Sequence, residues 1–125
     1  MPADTKDCMV VAERFITAAR GLRQAVGADV PLQQVMILVH LWRHGQSNQV
    51  ELARALDLKI AAASRHCKSL SSYYAQTDDA IKEKGQKLIL AERNPLNSRE
   101  MVYRLVDNTQ GVLSRFMLDL AGIKE

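Results

Sequence analysis

Lys59, Arg65 and Lys68, set among Ala61, Ala62 and Ser64, are the residues whose types and spacing most plainly carry chemistry in this 125-residue chain. Read as a helix, they form a face of cationic and small side chains with no acid, as a surface meeting phosphates requires. A solvated basic face is the plainer alternative. Other chemistry is thinly supported. His40 and His44 stand one helical turn apart, yet with His66, Cys8 and Cys67 they make no zinc-binding pattern, and no metal site is expected. Asp78, Asp79 and Glu83 read as a solvated acidic patch rather than a catalytic pair. There is no glycine-rich phosphate loop and no recognisable nucleophile motif, so no enzyme and no cofactor is expected.

Apolar residues make up 47% and charged residues 25% of the chain, the balance of an ordinary globular protein. The longest apolar run, Val35 to Val39, is far too short to cross a membrane. The opening MPADTKDC has no basic segment followed by an apolar one, so no export signal is expected and the cytoplasm is the expected compartment. Two cysteines make no disulfide framework and fit a reducing compartment. The net charge is +3, but residues 43–104 hold eleven Lys/Arg against seven Asp/Glu, so the positive excess is central. That placement suits an anionic polymer.

The elements that must position the basic face follow from period and punctuation. Cys8, Val11, Ala12, Phe15, Ile16, Ala19, Leu22 and Val26 recur at three- and four-residue steps, predicting one amphipathic helix over 5–26. Pro31 opens a second helix from Leu32 to Arg43, with Val35, Leu38, Leu41 and Trp42 on its buried face. Ser47 or Asn48 caps a third that carries Glu51 in its first turn and ends near Asp57. A fourth starts at Lys59 or Ile60 and runs at least to Leu70, with Gln76 to Lys84 as a short helix or helical extension. Two strands, around Leu88–Leu90 and Met101–Leu105, flank the turn formers Asn94 to Ser98 and predict a hairpin over 86–106. A last helix spans 107–122. One domain over 1–125 is expected.

The break at Asp57-Leu58-Lys59 is the informative one, because no glycine or proline forces it. Two short helices packed at a steep angle need a small residue where they touch and apolar residues around the corner. Ala53 is that small residue, and Leu56, Leu58, Ala63, Cys67 and Leu70 supply the contacts. This is the pattern of a helix-turn-helix over 46–70, and with the hairpin it gives a mainly α winged helix-turn-helix with a small two-stranded β wing.

Pro31-Leu32-Gln33-Gln34-Val35-Met36-Ile37-Leu38, Gln49-Val50-Glu51-Leu52-Ala53-Arg54-Ala55-Leu56, Ala63-Ser64-Arg65-His66-Cys67-Lys68-Ser69-Leu70 and the Arg93 to Arg99 turn occur in the order found in the MarR-type winged-helix transcription regulators. The chain resembles that family over about residues 30–105. The resemblance implies a homodimer that binds double-stranded DNA, often as a repressor. By position it puts Lys59, Ala61, Ala62, Ser64, Arg65 and Lys68 in the major groove. Arg93, Asn97 and Arg99 fall at the wing, with Arg99 reaching toward the minor groove or its phosphates. Gln46, Ser47, Asn48 and Gln49 fall at phosphates around the third helix's N-terminus. Some relatives of this type keep an oxidant-sensing cysteine near the first helix, which makes Cys8 a candidate redox residue beside its plain reading as a packed side chain.

Three features depart from the family pattern. Asn97 replaces the usual wing aspartate. Ala61 and Ala62 can touch a thymine methyl but read no donor or acceptor. The connection Ser71–Lys84 is longer than usual and carries Tyr73-Tyr74. The N- and C-terminal helices are the expected dimer contacts. The other reading is a winged-helix adaptor or anti-repressor with little DNA binding, which meets a protein partner through Ser71–Lys84.

Overall fold

A computed structural model describes residues 4–124, apart from the side chains of residues 73–75 and 98. The order is α1 (Thr5–Val26), α2 (Leu32–His44), β1 (Ser47–Asn48), α3 (Gln49–Leu56), α4 (Ile60–Leu70), β2 (Tyr73–Gln76), β3 (Ile81–Lys84), β4 (Ile89–Asn94), β5 (Asn97–Leu105) and α5 (Asp107–Ala121). Contacts divide the chain into two compact units, Pro31–Gln110 and the remainder.

In the first unit α2, α3 and α4 form the helical trio. Ile37, Leu38 and Leu41 of α2, Leu52 of α3, and Ala63, Cys67 and Leu70 of α4 are fully buried. The buried face of α2 is rotated slightly from the expected one: Gln34 and Ile37 are inside, while Val35 and Trp42 are half-buried. The corner between α3 and α4 turns at Asp57, whose φ of 55° places it in the left-handed region. Asp57 and Leu58 both donate their N–H to the Ala53 carbonyl, the latter at 2.8 Å, which closes the helix end. Leu58 is half-buried.

The wing is a three-stranded antiparallel sheet in the order β1-β5-β4. Ile89 pairs with Leu105 at its base, and Asn94 pairs with Asn97 around Pro95-Leu96, with a register shift at Arg93/Asn94. Ile89, Tyr103 and Leu105 bury their side chains on the helical trio's side of the unit. β1 adds a third strand to the expected two, through Ser47 opposite Tyr103 and Asn48 opposite Val102. Two residues cannot show an alternating pattern, so this strand exists only because β5 offers it an edge.

The segment after α4 is a hairpin, β2 paired with β3, not the helix or helical extension expected over Gln76 to Lys84. The helix stops at Leu70 because Ser71 turns extended and its hydroxyl donates to the Lys68 carbonyl at 3.2 Å. Thr77 then closes the hairpin turn: its N–H and its hydroxyl both donate to the Ala80 carbonyl, at 2.8 and 2.6 Å. At the neck, Gly85 has φ +97°, and a Cβ there would lie 1.9 Å from the Ser71 carbonyl oxygen. The side chains of Tyr73 and Tyr74 lie outside the described residues.

In the second unit α1 and the greater part of α5 meet along a narrow seam. Ala18 and Leu22 of α1 and Leu113 and Phe116 of α5 are buried. Ala18, Gly21, Leu22 and Ala25 face Val112 and Phe116 across a cleft of about 120 Å³. The first half of α1 is different: Met9, Val11, Phe15 and Ile16 are 56–60% exposed. Cys8 is exposed as well, so the N-terminal part of the predicted stripe is apolar without being buried.

Candidate nucleic-acid interface

α4 separates its faces by helical period. Ala63, Cys67 and Leu70 are buried, whereas Lys59, Ala61, Arg65 and Lys68 are exposed and Ala62 and Ser64 half-buried. Burial pushes the Cys67 thiol up to about 12, so it stays a neutral packing group. His66 lies at the edge between the two faces and turns inward. It is half-buried against α2, its Nε2 donating to Gln33 Oε1 at 2.7 Å and its Nδ1 accepting from Gln34 Nε2 at 3.2 Å.

The start of α3 is capped from within. Asn48 Oδ1 accepts the Glu51 N–H at 2.8 Å, and the Glu51 carboxylate accepts from Asn48 Nδ2 and Ser47 Oγ, each at 3.1 Å. Ser47 is 3% exposed, so its hydroxyl cannot reach the phosphate its position implied. Gln46 is exposed, and Asn48 and Gln49 are half-buried.

At the wing, Arg93, Asn97 and Arg99 are exposed. Asn97 Oδ1 accepts the Arg99 N–H at 3.2 Å, so the amide supports the turn where the family pattern has a carboxylate. Asn94 does the same one step earlier, accepting the Leu96 N–H at 2.9 Å, and its Nδ2 donates to Glu100 at 3.0 Å. Asn48, Gln49 and Val50 share a cleft of about 170 Å³ with Asn97, Arg99, Glu100 and Met101. Two groups read separately in the sequence are thus neighbours. Val50, Glu100 and Met101 were missed, because only the β1–β5 pairing brings them to the cleft.

The remaining polar clusters do not assemble a reaction centre. His40 and His44 stack with ring centroids 4.3 Å apart. Burial, then His44, lowers the His40 pKa, with Glu51 opposing. Among the described residues no group of three metal-ligating side chains converges, and no helix is long and apolar enough to cross a membrane.

A helical trio with a corner after α3, an acid-free exposed face on α4 and a β wing anchored to α3's cap define a winged helix-turn-helix. No protein-family model and no curated protein matches the chain. Solved structures do. RV1404 from Mycobacterium tuberculosis is 21% identical with a TM-score of 0.67, over 98% of this chain and 77% of that one. MepR from S. aureus, solved in complex with DNA, is 17% identical with a TM-score of 0.67, over 95% and 85%. YusO from Bacillus subtilis is 15% identical with a TM-score of 0.61, over 90% of this chain and 66% of that one. The chain therefore spans about two thirds of the length of YusO. The likeness to these structures is one of fold, over nine tenths or more of this chain.

Proposed function

We propose that this protein is a sequence-specific DNA-binding transcription regulator, a repressor of the cytoplasm, in which α4 enters the major groove and the wing meets the adjacent backbone or minor groove. The observation that carries this reading is the exposed face of α4, where Lys59, Arg65 and Lys68 stand among small residues with no acid while the opposite face is buried. The winged-helix fold supports it, as do two structural neighbours of that fold, MepR and reduced AbfR, that were solved with DNA. Ala61, Ala62 and Ser64 supply the close apolar and hydroxyl contacts, and Arg65 is the base-reading side chain. Gln46, Asn48 and Gln49, with Arg93, Asn97 and Arg99, hold the duplex backbone.

The active form is a homodimer through α1 and α5. The exposed Met9, Val11, Phe15 and Ile16 support this, because they give α1 an apolar surface that a symmetric partner would cover.

The test is fluorescence-anisotropy binding to a duplex from upstream of the protein's own coding sequence and to a scrambled duplex, at low and near-physiological salt. Preference for the upstream duplex that survives salt is the expected result. Binding that is equal and salt-labile means a non-specific binder. Absence of binding means a protein adaptor working through Ser71–Lys84.

A further inference from the structure

Four side chains from three segments form one hydrogen-bonded chain beneath α4. Gln86 Nε2 donates to Gln34 Oε1 at 3.1 Å, Gln34 Nε2 donates to His66 Nδ1 at 3.2 Å, and His66 Nε2 donates to Gln33 Oε1 at 2.7 Å. Gln33 and Gln34 belong to α2, His66 to α4 and Gln86 to the link between β3 and β4. Gln34 is only 5% exposed, so water is poorly placed to replace a lost partner.

The order of donors leaves little freedom. An amide has one acceptor oxygen and one donor nitrogen, and Gln34 uses its oxygen for Gln86. Its nitrogen must therefore face an acceptor, which requires a bare Nδ1 on His66 and puts the ring proton on Nε2, opposite the Gln33 carbonyl. Reversing any single amide sets two donors or two acceptors face to face, so the three amides and the ring proton can reverse only together. In this arrangement Nδ1 accepts and Nε2 donates.

Apolar contact supplies the rest of the α4 packing, with Leu70 the one large buried side chain among the described residues of that helix. The buried side chains of α4 include Ala63 and Cys67, small groups that set the depth of the helix but resist rotation weakly, because such contacts are non-directional. Hydrogen bonds are directional. His66 is also the chain neighbour of Arg65, so a rotation of α4 that strained the relay would swing Arg65 out of its place.

We infer that His66 is a positioning residue: the Gln86–Gln34–His66–Gln33 relay locks the rotation of α4 on α2 and holds the imidazole with Nε2 donating to Gln33 and Nδ1 accepting from Gln34. This rests on the reading of α4 as the DNA-recognition helix. The relay also ties that helix to the link that follows the β2–β3 hairpin.

Two measurements on the full chain test it. Long-range proton–nitrogen NMR of uniformly labelled protein at neutral pH, with the His66 signals assigned by His66→Gln, reads the ring's state. A single neutral Nε2–H form is expected. A mixture of tautomers, an Nδ1–H ring or an imidazolium overturns the relay. In Gln34→Glu a carboxylate replaces the donor, and Nδ1 should then carry a proton; an unchanged ring overturns it too.

The second measurement is duplex affinity against salt. His66→Ala should weaken binding about threefold to tenfold, the worth of one or two such bonds, with the salt slope unchanged because no phosphate contact is lost. His66→Gln, which keeps a donor toward Gln33, and His66→Asn, which keeps an acceptor toward Gln34, should each recover part of the loss. Parental affinity in His66→Ala, or a flattened slope, overturns the positioning role. If the parent binds no duplex, the DNA-binding reading fails by itself, and the tautomer still judges the relay.

Discussion

Asn48 and Glu51 cap each other at the start of α3, the asparagine oxygen accepting the Glu51 N–H at 2.8 Å and its amino group donating to the Glu51 carboxylate at 3.1 Å. The same Asn48 pairs with Val102 of the wing. One residue thus ends a strand, starts a helix and lines the cleft beside Arg99.

Asn48→Ala should lower folding stability by about 1 kcal/mol, the usual worth of such a cap. Urea midpoints of parent and variant measure it. Asn48→Asp, which keeps the acceptor but sets a second carboxylate beside Glu51, should be stable yet bind a duplex less well, since the added charge faces phosphate.

Arg65→Ala should weaken specific duplex binding by about tenfold or more if Arg65 reads a base edge, with an unchanged melting temperature. Arg99→Ala should weaken binding to all sequences alike and reduce the salt slope by about 0.9 for a lost phosphate contact. Parental behaviour in both variants would overturn their placement.

A charge on the exposed half of α1 separates dimerisation from folding. Phe15→Glu or Ile16→Glu should leave the far-ultraviolet circular dichroism intact and shift sedimentation toward a single chain, because both side chains are 56% exposed. Loss of helicity would instead mean that they pack within the chain.

The two thiols should differ sharply. In the folded protein one equivalent, Cys8, should react with a disulfide reagent, and Cys67 only after denaturant is added. Cys67 is buried and its thiol is pushed up to about 12, so it offers almost no thiolate near neutral pH.

Acid should cost stability through His40. Burial and His44 hold its folded pKa below the ordinary 6.5, so the unfolded chain takes up the proton first. Stability is therefore full above 6.5 and falls as the pH drops from there toward the lowered folded value. His40→Asn should flatten that part of the curve when urea midpoints at pH 7.5 and 5.5 are compared.

Much of this architecture is legible in the sequence because helices declare themselves locally. The stripe of α4 and the corner at Asp57 follow from residues within one or two turns of each other. The β2–β3 hairpin escaped because its strand Ile81–Lys84 is exposed throughout and so shows no buried alternation. β1 escaped because it is two residues long and depends on β5, more than fifty residues away. In the site, the cationic face of α4 was readable from charge and period. The burial of Ser47 and the inward turn of His66 were not, since each is decided by partners on another element or by a cap.

Gly85 gives the β2–β3 hairpin a fixed root. With the Ser71 carbonyl occupying the space of its missing side chain, and Gln86 and Leu88 donating to the Ser69 and Leu70 carbonyls at 2.9 and 2.8 Å, the neck is clamped to the end of α4. Everything beyond it, from Thr77 to Ala80, hangs outward on its own turn. The molecule is thereby modular at this point. The loop at Asp78-Asp79 is where the chain can be lengthened, shortened or fitted with a fluorescent tag while the helix beneath keeps its geometry, and where gradual change in sequence would meet the least resistance.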